Sequence, residues 1–115
     1  MDDPLRIVIV GDGVFARIEA GGSFGTPGVP IDLAHWHRVC AVKRAETLSL
    51  FLDGNPAGSC AAPRFTTTSA RDCALGGNPH FSGDESLAAT FADFGFWERA
   101  LSAEELQRLA LPDQK

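Results

Sequence analysis

Apolar residues in this chain recur mostly at every second position in short runs, and Gly, Asp, Asn and Pro separate the runs. A strand sends successive side chains to opposite faces, whereas a helix spaces its apolar stripe at three and four. The pattern therefore predicts an all-β, antiparallel fold whose strands are joined by short turns. Gly11-Asp12-Gly13, between Leu5–Val10 and Val14–Glu19, marks a first hairpin, since glycine supplies the positive φ of a tight turn. Further on, Trp36–Val42 and Thr47–Leu52 read as neighbouring strands. The first puts Trp36, Arg38, Cys40 and Val42 on one face, and the second aligns Leu48, Leu50 and Leu52. Asp53-Gly54-Asn55 then turns the chain into a short return strand.

The remaining segments carry weaker signals of the same kind. Gly21–Pro30 holds several Gly and two Pro and reads as a long loop, whereas Ala74–Gly77 reads as a brief strand. Leu87–Trp97, with Phe91, Phe94, Phe96 and Trp97, reads as a longer strand that supplies much of the core, and Trp36, in its own strand, is expected to be core as well. One helix is expected from Ala103 to Leu111. Ser102 is its N-cap, Glu105 completes a capping box, Leu101 can staple to Leu106, and Pro112 follows its end.

With 115 residues the chain has material for one core, and a single domain over residues 1–115, cut from a larger protein or standing alone, is expected. Ten Lys and Arg against 15 Asp and Glu give a formal net charge of -5, and the basic residues are scattered. A surface that tracks phosphates needs clustered cations, so nucleic acid is excluded as a partner. The longest apolar run, Ile7–Val10, is far too short to cross a bilayer, and the acidic start Met1-Asp2-Asp3-Pro4 is not a signal peptide. Glycans and calcium fit the charge better.

Three segments in this order resemble the laminin G-like domains of the concanavalin A-like lectin and glucanase superfamily. They are Trp36-His37-Arg38-Val39, Leu50-Phe51-Leu52-Asp53-Gly54, and the run from Phe94 to Glu105 that contains Arg99-Ala100-Leu101-Ser102. The family has a "WHHVA"-like strand, an "LYVDG"-like hairpin and a strand running into an "RALSxEE" helix start, and Ala74-Leu75-Gly76-Gly77 is similar to its "lriGg" strand. The resemblance spans about Asp32 to Leu109 and implies an antiparallel jelly-roll-like β-sandwich with one short C-terminal helix. It also implies an extracellular or cell-surface setting and a non-catalytic recognition module for glycan or protein ligands, with calcium assistance. Family members are usually longer at the N-terminus, so the first strands are expected to be lacking here. An uncovered sheet edge would favour a homo-oligomer, which makes a self-assembling structural domain the alternative.

Catalysis finds little support. The glucanases of this superfamily set two Glu on one strand face in an ExDxxE-like pattern, because acid and nucleophile must flank one glycosidic bond, and no such pattern occurs here. Glu104 and Glu105 belong to the first turn of a helix, where carboxylates favour the positive end of the dipole. His35 and His37 flank Trp36 with no nucleophile pattern beside them, so a glycoside hydrolase ranks last. Asn78, His80, Asp84 and Glu85 share one Gly-rich stretch and are the expected binding residues, with Asp84 and Glu85 as the metal ligands; a solvated turn is the plainer alternative. Cys60 and Cys73 stand 13 residues apart between two expected strands. A disulfide between them or two free thiols both remain open, and Cys40 reads as a buried free thiol.

Overall fold

The computed structural model describes residues 3–65 and 89–110 of the chain. The expected hairpin forms from β1 (Asp3–Val10) and β2 (Gly13–Glu19), closed by a two-residue turn with Gly11 at φ +60°. Cross-strand partners share a face, so the pairs Ile9–Val14 and Ile7–Ala16 put four apolar side chains on one side of the ribbon. Along β2 the alternation is strict: Val14, Ala16 and Ile18 are buried, and Phe15 and Arg17 are half-exposed on the other face.

The segment expected to be one long loop holds two short strands, β3 (Ser23–Gly25) and β4 (Val29–Pro30), and both pair with the free edge of β2. The Gly and Pro content shortens these strands without abolishing them. Each finds a ladder on β2 of only two or three residue pairs. In the gap between them Thr26 is buried. Its N–H donates to the Ala16 carbonyl at 2.9 Å, and its hydroxyl oxygen accepts the Ala16 N–H at 3.0 Å. One threonine thus replaces the ladder bonds that a continuous strand would have made.

The second sheet is the meander β5 (Val39–Arg44), β6 (Thr47–Leu52) and β7 (Asn55–Ala61). The β6–β7 turn is Asp53-Gly54 with both residues at positive φ, +53° and +83°, which is the geometry that Asp-Gly favours. Leu48 and Leu50 of β6 are fully buried with Val14, Ala16 and Ile18 of β2, and Ile31 and Ala62 close the cluster. This layer between the two sheets is the main core of a β-sandwich. The opposite face of the second sheet presents Cys40, Val42 and Phe51, and it is covered by Leu101, Leu106 and Leu109 around α1 (Ala103–Ala110).

The helix start follows the sequence closely. The Glu105 N–H donates to the Ser102 hydroxyl at 3.2 Å and the Ser102 N–H donates to the Glu105 carboxylate at 2.9 Å, the reciprocal pair of a capping box. Arg99 clamps the same carboxylate with two bonds of 3.0 and 2.6 Å. The Arg99 hydrogen bonds, helped by the Ser102 N–H, pull the Glu105 carboxyl down to about 2.

Two expectations about aromatic residues are corrected. The strand expected from Trp36 begins only at Val39, because the Arg38 N–H is taken by the Asp53 carboxylate at 2.9 Å, and Trp36 is 69% exposed instead of plugging the core. The described part of Leu87–Trp97 forms no strand, and Phe91, Phe94, Phe96 and Trp97 are all exposed. Asp93 sits at φ +54°, a left-handed conformation that breaks an extended run. Gly95 leaves room for the Trp97 ring to fold back where a Cβ would stand. Ala74–Gly77 lies outside the described residues.

Candidate functional site

Residues 31–38 run from the first sheet to the second, and the chain secures this crossing with polar side chains. Its first residue, Ile31, is buried and its N–H donates to the Asp12 carbonyl at 2.7 Å, which fixes the near end to the β1–β2 turn. At the next position Asp32 behaves as a turn-forming residue. Its Oδ1 accepts the Ala34 N–H at 2.9 Å, and its Oδ2 stands 2.5 Å from His35 Nδ1. The Ala34 N–H and then His35 lower the Asp32 carboxyl below its ordinary value.

The far end is secured by His37 and Asp53. The β5–β6 register pairs Val39 with Leu52, so the residue before β5 comes opposite the residue after β6. Asp53 uses both carboxylate oxygens on this neighbour: Oδ1 accepts the Arg38 N–H at 2.9 Å, and Oδ2 faces His37 Nδ1 at 2.7 Å. The Asp53 N–H in turn donates to the Arg38 carbonyl at 2.8 Å. The other ring nitrogen of His37, Nε2, lies 2.8 Å from the Asp32 carbonyl oxygen. A neutral imidazole has one N–H, whereas both acceptors facing this ring lack protons to give, so two bonds require the imidazolium form. In agreement, the hydrogen bond to Asp53 raises the His37 pKa above the ordinary histidine value, against some burial. Partial burial pushes the Asp53 carboxyl up, and the bonds from His37 and the Arg38 N–H outweigh it and leave the group below its usual range.

Between these two fixings stand Leu33 and Trp36, both largely exposed. Arg38 turns its guanidinium toward Asp93, with a hydrogen bond to the Asp93 carbonyl at 3.5 Å and the carboxylate at 3.7 Å. The result is an indole displayed on a short loop that is tied at both ends and also carries the bonded pair Asp32 and His35. Among the described residues no group of three His, Cys, Asp or Glu side chains is placed to hold a metal ion, and no helix is long and apolar enough to cross a membrane.

The residues expected to bind ligand or metal, Asn78, His80, Asp84 and Glu85, lie outside the described residues, as does Cys73. Cys60 and Cys40 carry free thiols on opposite faces of the second sheet, and burial pushes both pKa values up. Alternation alone puts Trp36 in the core and leaves Asp53 as a turn residue, so neither is visible as part of a site from the sequence. The signal for the pairing is the register: the two-residue turn Ala45-Glu46 between β5 and β6 pairs Arg44 with Thr47 and so sets Arg38 across from Asp53.

A family model described as the concanavalin A-like lectin/glucanases superfamily, of laminin G type, matches residues 5–107. No curated protein sequence matches the chain. Among solved structures, the fold is similar to that of an S-layer domain-containing protein from Clostridium thermocellum, with a TM-score of 0.61 and 14% sequence identity over 93% of this chain. The chain spans 63% of that structure. At this identity the likeness is one of fold, and it agrees with two antiparallel sheets and a short C-terminal helix. The chain belongs to the laminin G-like branch of the concanavalin A-like lectin/glucanase superfamily.

Proposed function

We propose that the protein is a non-catalytic recognition module that takes neutral glycans at the Trp36 loop, in an extracellular or cell-surface setting. The observation that carries this reading is the 69% exposure of Trp36 on a loop whose two ends are held by Asp32, His37 and Asp53. An indole offers an apolar face with little conformational entropy to lose, and loops on a stiff scaffold are where ligand-binding residues concentrate. Asp32 and His35, bonded to each other within the same loop, supply groups that can exchange hydrogen bonds with hydroxyls. The carboxylates around the loop and the net charge of -5 disfavour anionic sugars and favour neutral ones.

The test is an array of neutral and acidic glycans probed with the wild type and with Trp36→Ala, each with calcium and with a chelator. Saturable binding to neutral glycans that Trp36→Ala abolishes supports the reading. Binding that survives the substitution places the site elsewhere, and binding lost only on chelation supports calcium assistance by Asp84 and Glu85. Silence toward all glycans favours a protein ligand.

A self-assembling role is the second reading, favoured by β1. Among the described residues no strand pairs with its outer edge, Leu5 is 41% exposed, and Ile7, paired with the buried Ala16, is 43% exposed. Light scattering at several concentrations separates the two: a concentration-independent monomer removes this reading.

A further inference from the structure

We propose that His37 is a protonation-dependent latch that holds the Trp36 loop against the β6–β7 turn, fully closed only while its ring is an imidazolium. The inference rests on the Trp36 reading above for its consequence, although the latch itself stands on geometry alone. Both ring nitrogens meet acceptors within 2.8 Å, the Asp53 carboxylate on one side and the Asp32 carbonyl on the other. When the ring loses a proton one of these contacts must open, since two lone pairs then face each other. The contact to Asp53 ties the loop to the second sheet, and the contact to Asp32 ties it back on itself. Losing either loosens the stretch from Asp32 to His37, of which Trp36 is part, while the Arg38–Asp53 bonds keep its far end in place.

The charged groups around the ring all bear on the proton. Asp53 and Asp32 favour it. Arg38, the chain neighbour, has its guanidinium turned to Asp93. His35 is engaged with Asp32 and shares that carboxylate's field. Because the His37 pKa is raised and the Asp53 pKa is lowered, the latch is complete from below the ordinary carboxylate range up past the ordinary histidine value of 6.5, and it opens on further alkalinisation. Glycan affinity at Trp36 falls over the same upper range.

The experiment follows the His37 ring nitrogens and the two tryptophan indole N–H signals by heteronuclear NMR as pH rises, in the wild type and in Asp53→Asn, without any ligand. The latch predicts a His37 midpoint above 6.5, both ring nitrogens protonated below it, and a Trp36 indole signal that moves with the same midpoint while the Trp97 signal stays. In Asp53→Asn the midpoint drops toward 6.5 and the Trp36 transition moves with it. A His37 midpoint at or below 6.5, or a Trp36 signal indifferent to His37, overturns the latch. If the NMR transitions occur and Trp36→Ala leaves glycan binding intact on the array, the latch stands and the Trp36 reading fails; an affinity that depends on Trp36 but ignores pH overturns the coupling of the latch to binding.

Discussion

The Thr26 hydroxyl oxygen accepts the Ala16 N–H at 3.0 Å in the gap where β3 has ended and β4 has not begun. This contact lies next to the buried layer of Val14, Ala16 and Ile18, so nothing there can replace it cheaply. Thr26→Val keeps the shape and deletes the acceptor, and a buried donor left without a partner costs about 1–3 kcal/mol. Urea unfolding monitored by circular dichroism checks this, with Thr26→Ser expected to lose clearly less.

The layer between the sheets rests on Leu48 and Leu50, both with no exposed surface. Leu50→Ala removes apolar contact and leaves a cavity facing β2, for a loss of about 2–5 kcal/mol. Phe65→Ala, at 80% exposure, changes stability by less than about 0.5 kcal/mol. Equal effects from the two substitutions would mean that the core has been misplaced.

The β5–β6 turn contains Ala45 at φ +50°, a conformation that a Cβ penalises. Ala45→Gly therefore stabilises the protein by about 0.5–1 kcal/mol, the opposite of the usual effect of glycine. At Gly54, with φ +83°, Gly54→Ala costs about 1 kcal/mol or more for the same reason. Thermal unfolding of the two variants should move the midpoint in opposite directions.

Helix docking depends on the capping box and carries a pH signature. Ser102→Ala removes the acceptor for the Glu105 N–H and costs about 1 kcal/mol. The Glu105 carboxyl is depressed in the folded state to about 2 from 4.5, so its stabilisation is whole above 4.5 and is lost as pH falls from there toward 2. Glu105→Gln flattens this part of the acid unfolding curve.

The legible parts of the fold are those decided by neighbours in sequence. Gly11-Asp12, Asp53-Gly54 and the Ser102–Glu105 box act within a few residues, and each forms where its residues dictate. Leu48 and Leu50 were legible because alternation in one strand needs only one covered face. Alternation does not say which neighbour covers a face, and there the reading of aromatic residues fails. Trp36 alternates in phase with Cys40 and Val42, yet the Asp53 carboxylate captures the Arg38 N–H and ends the strand short of it. The site was illegible for the same reason. His37 and Asp53 are 16 residues apart, and only the register of β5 on β6 brings them together. Asn78, His80, Asp84 and Glu85 lie outside the described residues.

The most direct measurement is a titration of isotope-labelled protein with a neutral oligosaccharide selected by the array, read at the two indole N–H signals near pH 6. Recognition at the Trp36 loop predicts a saturable shift of the Trp36 signal, with backbone signals of residues 32–38 and 53–54 moving in step and the Trp97 signal still. A saturable shift confined to other residues, with Trp36 unmoved, would contradict it.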